Sequence, residues 1–221
     1  MRRVLVNEKA VSIASRHVAP GDRIAVVDEV PQIVVIAEGD DWLAVDKPAG
    51  MATQPARDRE QRSLEELLRL RFREIWLVHR LDTPTSGIVL FAKTKEAAAE
   101  LSALFAAGQI RKTYLAILDG ELREEQIVET PIQSRNARTI FSPQRSNGLT
   151  TLAEVVIETG RTHQIRIHAA AIGHPVAGDR RYGSGARATR LMLHAWKLEH
   201  AKFGVLEAQP PTSFSSASPI P

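Results

Sequence analysis

Short apolar runs set the first limit on how this chain can fold. Ile33 to Ala37, Trp42 to Val45, Ile88 to Ala92, Tyr114 to Leu118, Thr151 to Glu158 and Leu191 to Leu198 have strand length and strand composition. Glu38-Gly39-Asp40-Asp41 joins the first two, and Lys47-Pro48-Ala49-Gly50 ends the second. Three other stretches have helical spacing. Ser63-Leu64-Glu65-Glu66 is a capping box followed by Leu67, Leu68 and Phe72. Thr94 caps an Ala/Leu-rich helix that Gly108 stops, and Thr162 caps one through Ile172 that Gly173 stops. The two kinds of element do not alternate regularly, so the class is α+β.

Residues 1–30 read as a small separate unit. Val4-Leu5-Val6-Asn7 and Ile24-Ala25-Val26-Val27 are short strands, Pro20-Gly21-Asp22 is a turn, and composition shifts at Glu29-Val30-Pro31. The main body follows as residues 31–214. Within it, residues 119–148 are polar and turn-like, with Arg135, Arg138 and Arg145. The tail from Gln209 is rich in Pro and Ser and reads as disordered, above all 215–221. A length of 221 residues suits one sizeable domain with an appendage. The absence of cysteine excludes disulfides, thiolate chemistry and Cys-based metal sites. No run approaches the roughly 20 apolar residues of a membrane span. The N-terminus has no apolar signal core, and a cytoplasmic protein is the simplest fit.

Net charge is only +3, but it is unevenly spread. Arg161, Arg166, Arg180, Arg181, Arg187 and Arg190 face a single acid, Asp179, between positions 161 and 190. Guanidinium groups bind phosphate with two parallel bonds and stack on bases. Such a segment is either a nucleic-acid footprint or a solvated basic face, and charge alone does not separate the two.

Three motifs carry chemistry. His79-Arg80-Leu81-Asp82-Thr83-Pro84-Thr85-Ser86-Gly87 places an acid at a turn, with cations close by and hydroxyls to hold it. A carboxylate fixed in this way serves as nucleophile or general base, or it only caps the turn. Gly160-Arg161-Thr162-His163-Gln164-Ile165-Arg166-Ile167-His168 puts His163 and Arg166 on one helix face and Gln164 and His168 on another. Ile110-Arg111-Lys112-Thr113-Tyr114-Leu115-Ala116 sets a tyrosine in an apolar strand behind two cations. Tyr114 can stack on a base while Arg111 and Lys112 meet phosphate, or it can be a core residue.

Together, and in this order, these motifs resemble the RluA family of RNA pseudouridine synthases. The family patterns HRLDxxTSG, KxYxA and GR-[ST]-HQ-[IL]-R-x-H are met by His79–Gly87, by Lys112, Tyr114 and Ala116, and by Gly160–His168. The resemblance extends over Lys47–Gly50, Gly173–Asp179 and Arg190–Ala195. It implies an α+β fold with a mixed, mainly antiparallel sheet, flanking helices and a central RNA-binding cleft. It also implies isomerisation of uridine to pseudouridine in ribosomal or transfer RNA, by a monomer without metal or cofactor. Asp82 would be the nucleophile, adding to the sugar or removing a proton from it. Arg166 would pair with Asp82. Tyr114 would stack on the flipped uracil and take its C5 proton, and Leu193 would form the apolar wall. His79, Arg80, Thr85, Arg111, Lys112, Arg161, His163, Gln164, His168 and Arg190 would contact substrate or flanking RNA.

Two departures from the family stand out. Residues 4–27 resemble only the second half of an αL-type RNA-binding domain. Between Arg135 and Glu154 a strand and its hairpin read as shortened or missing. These departures motivate a rival from another class, an inactive RNA-binding or ribosome-assembly protein that keeps the fold. A carboxylate glycosidase would need a second acid opposite Asp82, and neither 110–116 nor 160–168 contains one. His163, His168, His174 and His194 fit no standard zinc spacing. Gly183-Ser184-Gly185-Ala186-Arg187-Ala188 imitates a dinucleotide fingerprint but follows no apolar strand, so it reads as a loop.

Overall fold

The computed structural model describes residues 2–7, 9–11, 17–28, 32–55 and 62–214. In chain order the strands are β1 (Arg2–Val6), β2 (Lys9–Val11), β3 (Ile24–Asp28), β4 (Val34–Glu38) and β5 (Trp42–Lys47). Helix α1 (Leu64–Arg69), β6 (Trp76–Leu77), β7 (Ser86–Ala92), helix α2 (Lys95–Ala106) and β8 (Arg111–Asp119) follow. Then come β9 (Gln126–Val128), β10 (Thr139–Ser146), β11 (Thr150–Ile157), helix α3 (Gln164–Ala171), β12 (Leu193–His200) and β13 (Gly204–Glu207).

Strands β1 to β3 form their own three-stranded sheet in the order β2-β1-β3. The turn expected at 20–22 is there: the Asp22 carboxylate accepts from the Asn7 side-chain amide (2.7 Å) and the Ala19 N–H (2.8 Å). The other ten strands form one sheet in the order β4-β5-β7-β12-β8-β11-β10-β9, with β6 on β7 and β13 on β12. Among the described residues only β7 and β12 pair in parallel, so the sheet is mixed and mainly antiparallel, as expected.

The parallel seam positions the site. All seven residues of β7 are buried, because a helix covers each of its faces. Val89 and Phe91 pack beneath α1 with Leu64, Leu67 and Leu68, while Ile88, Leu90 and Ala92 pack beneath α2 with Ala97 and Leu101. A strand covered on both faces reads as an unbroken apolar run rather than an alternating one. Each fully buried aliphatic or aromatic side chain contributes about 1.5–3 kcal/mol. Gly87 sits at the crossing with φ +113°. A Cβ there would lie 2.2 Å from the carbonyl oxygen of Ala195, so only glycine lets β7 approach β12 directly behind the acid-bearing turn.

Helices α1 and α2 begin as the sequence predicts, with the Ser63/Glu66 capping box and the Thr94 cap. The third does not. Its N-cap is His163 in the left-handed conformation (φ 59°), without a side-chain cap, and Thr162 lies outside the helix. The segment expected to lack a hairpin has one. Strands β10 and β11 pair from Thr139↔Ile157 to Ser146↔Thr151, and β9 continues the sheet. Arg138 and Arg145 defeated the polarity argument, since only alternate residues need be apolar. Thr139 and Phe141 point inward on β10, and every second residue of β11 is buried. Phe141→Ala should therefore cost about 3–5 kcal/mol in urea unfolding. Parental stability in that variant would mean the hairpin adds nothing to the core. The segment 209–214 is also ordered: Thr212–Phe214 form a short 3-10 turn, and Phe214 is buried in the core. Positions 215–221 lie outside the described residues.

Candidate active site

The Asp82 turn is held from two sides. On one side, the Thr53 hydroxyl donates to the Leu81 carbonyl (2.8 Å) and accepts from the Leu81 N–H (3.2 Å). On the other, the Lys47 ammonium donates to the carbonyls of Pro48 (3.0 Å), Met51 (2.8 Å) and Thr83 (3.3 Å). The Gly50 N–H also donates to the Thr83 carbonyl (2.8 Å), and the Thr85 N–H closes the turn onto the Asp82 carbonyl (3.0 Å). Lys47 is wholly buried. Burial pushes its pKa down to about 8, against the pull of Asp82 and Asp46, so it stays mostly cationic at neutral pH. In sequence Lys47 is visible only as part of the Lys47–Gly50 turn. Its signal was a lysine ending an apolar strand, where a charge must find partners.

Helix α3 faces this turn. Arg166 Nη1 lies 3.8 Å and His163 Nε2 3.6 Å from Asp82 Oδ2, so the face shared by positions 163 and 166 does meet the acid. The tightest partner of Arg166 is a different residue. Its Nε and Nη2 each donate to Asp179 at 2.7 Å, a fork on a carboxylate with no exposed surface. Asp179 Oδ1 also accepts from the backbone N–H groups of Arg181 (2.9 Å) and Tyr182 (3.1 Å). Burial raises the Asp179 carboxyl, but these bonds outweigh it and leave the pKa below the ordinary value. The same pair raises the Arg166 pKa. Arg166 is thus aimed by Asp179 and presents Nη1 to Asp82. As the one acid among six arginines, Asp179 could have been found from sequence.

Tyr182 completes this side. Its ring lies 5.1 Å from the Arg166 guanidinium, and its hydroxyl is 3.0 Å from His163 Nδ1. Burial pushes His163 below its ordinary pKa against the pull of Asp82, which favours the neutral imidazole.

Asp82, Tyr114, Arg166 and Leu193 line one cavity of about 90 Å³, with Arg80, Thr85, Arg161, His163 and Gln164. Tyr114 and Arg166, 32 and 84 positions beyond Asp82 in sequence, thus meet it at one cavity. Burial pushes the Tyr114 phenol upward, and Asp82 adds to the shift. That keeps Tyr114 protonated at neutral pH and makes it a poor acceptor for the C5 proton expected of it. Its ring lines the cavity beside Leu193, on the same face of the sheet.

Several expected RNA contacts have other work. His168 is fully buried, bonded to the Thr139 hydroxyl and the Thr130 carbonyl (both 2.9 Å), and cannot reach a ligand. The Gln164 carboxamide, on the same helix face, donates to the Arg138 carbonyl and Thr139 hydroxyl and accepts from Thr159 and the Arg161 N–H, so it braces α3 against β10. His79 accepts from the Leu90 N–H (2.9 Å) and stacks on Phe105. Arg111 turns to the surface and pairs with Glu199 at 3.5 Å. Arg190 lies in an adjoining cleft, bonded to Ser86 and Ser213 and over the Phe214 ring.

Comparison with known proteins identifies the family. The model of the family described as RNA pseudouridylate synthase matches residues 41–171, more than half of the chain. The chain belongs to this family. The matched span contains the acid turn, the Tyr114 strand and the α3 helix that meet at the cavity. The synthase is 32% identical over 232 residues to the Uncharacterized RNA pseudouridine synthase YhcT of Bacillus subtilis, covering 90% of this chain and 76% of that one. It is 34% identical over 193 residues to the Dual-specificity RNA pseudouridine synthase RluA of Vibrio vulnificus, covering 76% and 77%. Human RNA Pseudouridylate Synthase Domain Containing 1 superposes with a TM-score of 0.70 at 27% identity, over 85% of this chain and 88% of that one. The RluA-type resemblance of the sequence therefore holds, and the fold is that of pseudouridine synthases.

Proposed function

We propose that this synthase isomerises a uridine in ribosomal or transfer RNA, with Asp82 as the nucleophile. The convergence of Asp82, Arg166 and Tyr114 on one cavity carries this reading, because binding RNA without chemistry would not need an acid fixed there by its own clamped turn, with a guanidinium 3.8 Å away. In the reaction the bond from C1′ to N1 breaks and C5 joins C1′. The proton on C5 leaves and N1 gains one, so no atom or electron is exchanged with a cofactor. Asp82 acts at the sugar. Arg166, steadied by Asp179, offsets its charge, Tyr114 stacks on the uracil ring, and Leu193 adds an apolar wall. The target must leave its stack to reach a cavity of this size. Arg80 and Arg161 grip the flanking strand, and the small sheet of β1 to β3 adds a weak contact. The protein works as a monomer in the cytoplasm. Among the described residues no helix is long and apolar enough to cross a membrane.

Pseudouridine maps of ribosomal and transfer RNA test the assignment, taken from host cells with and without this gene. One or a few sites should vanish on deletion and return with the wild-type gene. Identical maps, with the protein stably expressed, would leave an inactive RNA-binding protein as the better reading.

A further inference from the structure

Beside the catalytic cavity runs a second groove, of about 550 Å³, that the proposed chemistry leaves unused. It shares Arg80, Tyr114, Ile157, Gly160 and Arg161 with that cavity, so Tyr114 is part of their common wall. Lys112 stands two residues before Tyr114 on β8, on the same face of the strand. Its side chain is nearly sealed, with 6% of the residue exposed, yet the ammonium makes one long contact, 3.5 Å to the Glu158 carbonyl. An ammonium has three donors, and burying them without acceptors is costly. No carboxylate lies within ion-pair distance of Lys112 among the described residues, and Arg138 engages the nearby Glu158 carboxylate.

A second donor lies beside it. His79 Nε2 accepts from a backbone N–H, so Nδ1 carries the ring hydrogen, and nothing among the described residues takes it. Burial drives the His79 pKa down to about 3, and the charge of Lys112 adds to the shift. The imidazole is therefore neutral. The remaining walls are mixed: Phe105, stacked on His79, and Val78 and Ile157 are aromatic or aliphatic, while Arg80 and Arg161 stand in the part shared with the catalytic cavity.

We propose that this groove receives a nucleobase neighbouring the target uridine, and that Lys112 and His79 read it by donating to ring acceptors. Adjacent acceptors such as O6 and N7 of guanine match the two donors best. Arg80 and Arg161 suit a backbone phosphate in the shared part of the groove, whereas His79 with its free ring N–H and the Phe105 and Val78 walls, in the part not shared, suit a base. The inference rests on the synthase reading. It moves Lys112 from the backbone contact expected of it to a specificity role.

The test starts from a site found by mapping. An RNA spanning that site, with three nucleotides randomised on each side, is treated with the full-length protein, and the pseudouridine-containing fraction is sequenced. The wild type should favour a base rich in ring acceptors at one flanking position by a factor on the order of ten. Lys112→Met, close in shape, should flatten that preference to within about twofold, because losing a base contact relaxes specificity at one position. Ala106→Leu fills the groove from the exposed end of α2 and should have the same effect, which keeps the test decisive if Lys112→Met folds poorly. Either of two results would overturn the inference: no flanking preference in the wild type, or an unchanged profile with a uniform loss of rate, the mark of a phosphate contact. An active enzyme giving either result would leave the synthase reading intact, whereas absence of pseudouridine from the maps would defeat both.

Discussion

Asp82→Asn is expected to abolish pseudouridine formation, with a loss on the order of 10⁴-fold or more, the scale on which removing a nucleophile acts. The carboxylate and carboxamide have the same shape. The contacts of Asp82 to Arg166 and His163, at 3.8 and 3.6 Å, are longer than hydrogen bonds. The turn is held instead by backbone groups together with Lys47 and Thr53, none of which the substitution touches. The variant should therefore melt within a few degrees of the parent and bind RNA with similar affinity, since the arginines of the flanking clefts are intact. Single-turnover assays on an RNA found by mapping would show the loss. Turnover near the parental rate would remove Asp82 from the role of nucleophile.

Asp179→Asn should damage both stability and activity. The pair with Arg166 is a two-bond fork between side chains exposed by 8% and 0%. Breaking a buried pair by neutralising one partner typically costs about 3–5 kcal/mol, because the other charge stays buried. Asparagine keeps one acceptor, so the lower end of that range is expected in chemical denaturation. The guanidinium would then have Asp82 as its nearest anion and would swing toward it. A misplacement of about 1 Å can cost roughly 10²-fold in rate. Loss of rate at saturating RNA, with the KM changed less, would mark a positioning role. A purely structural role predicts parental turnover per folded molecule. The pH dependence has a definite sign. The folded-state pKa of Asp179 is lowered, so its stabilisation is present above the ordinary carboxylate value and is lost as pH falls through the lower folded value. The acid limb of the parent's stability should be shallower in the variant.

The sequence was legible where chemistry and pattern are local. The caps at Ser63 and Thr94 and the apolar run of β7 can be read from neighbours in the chain. It was misleading where burial depends on what lies across the sheet. The 119–148 segment is polar on average, yet Phe141 and Thr139 face inward, because one face of a hairpin is enough to join a core. His168 and Gln164 look like ligands for an anion in sequence, but in three dimensions both are spent on fixing α3 to β10.

By itself, then, the sequence determined the fold class and the family, and it supplied three motifs whose residue types suit one reaction. The tertiary structure decided how those residues are coupled. Arg166 answers first to Asp179, Asp82 stands on a turn clamped by Lys47 and Thr53, and Lys112 opens onto a groove rather than onto solvent. The reason is physical. A motif is a run of neighbours along one chain, whereas the partner of a buried charge is whichever group the packing brings within about 3 Å, at any distance in sequence.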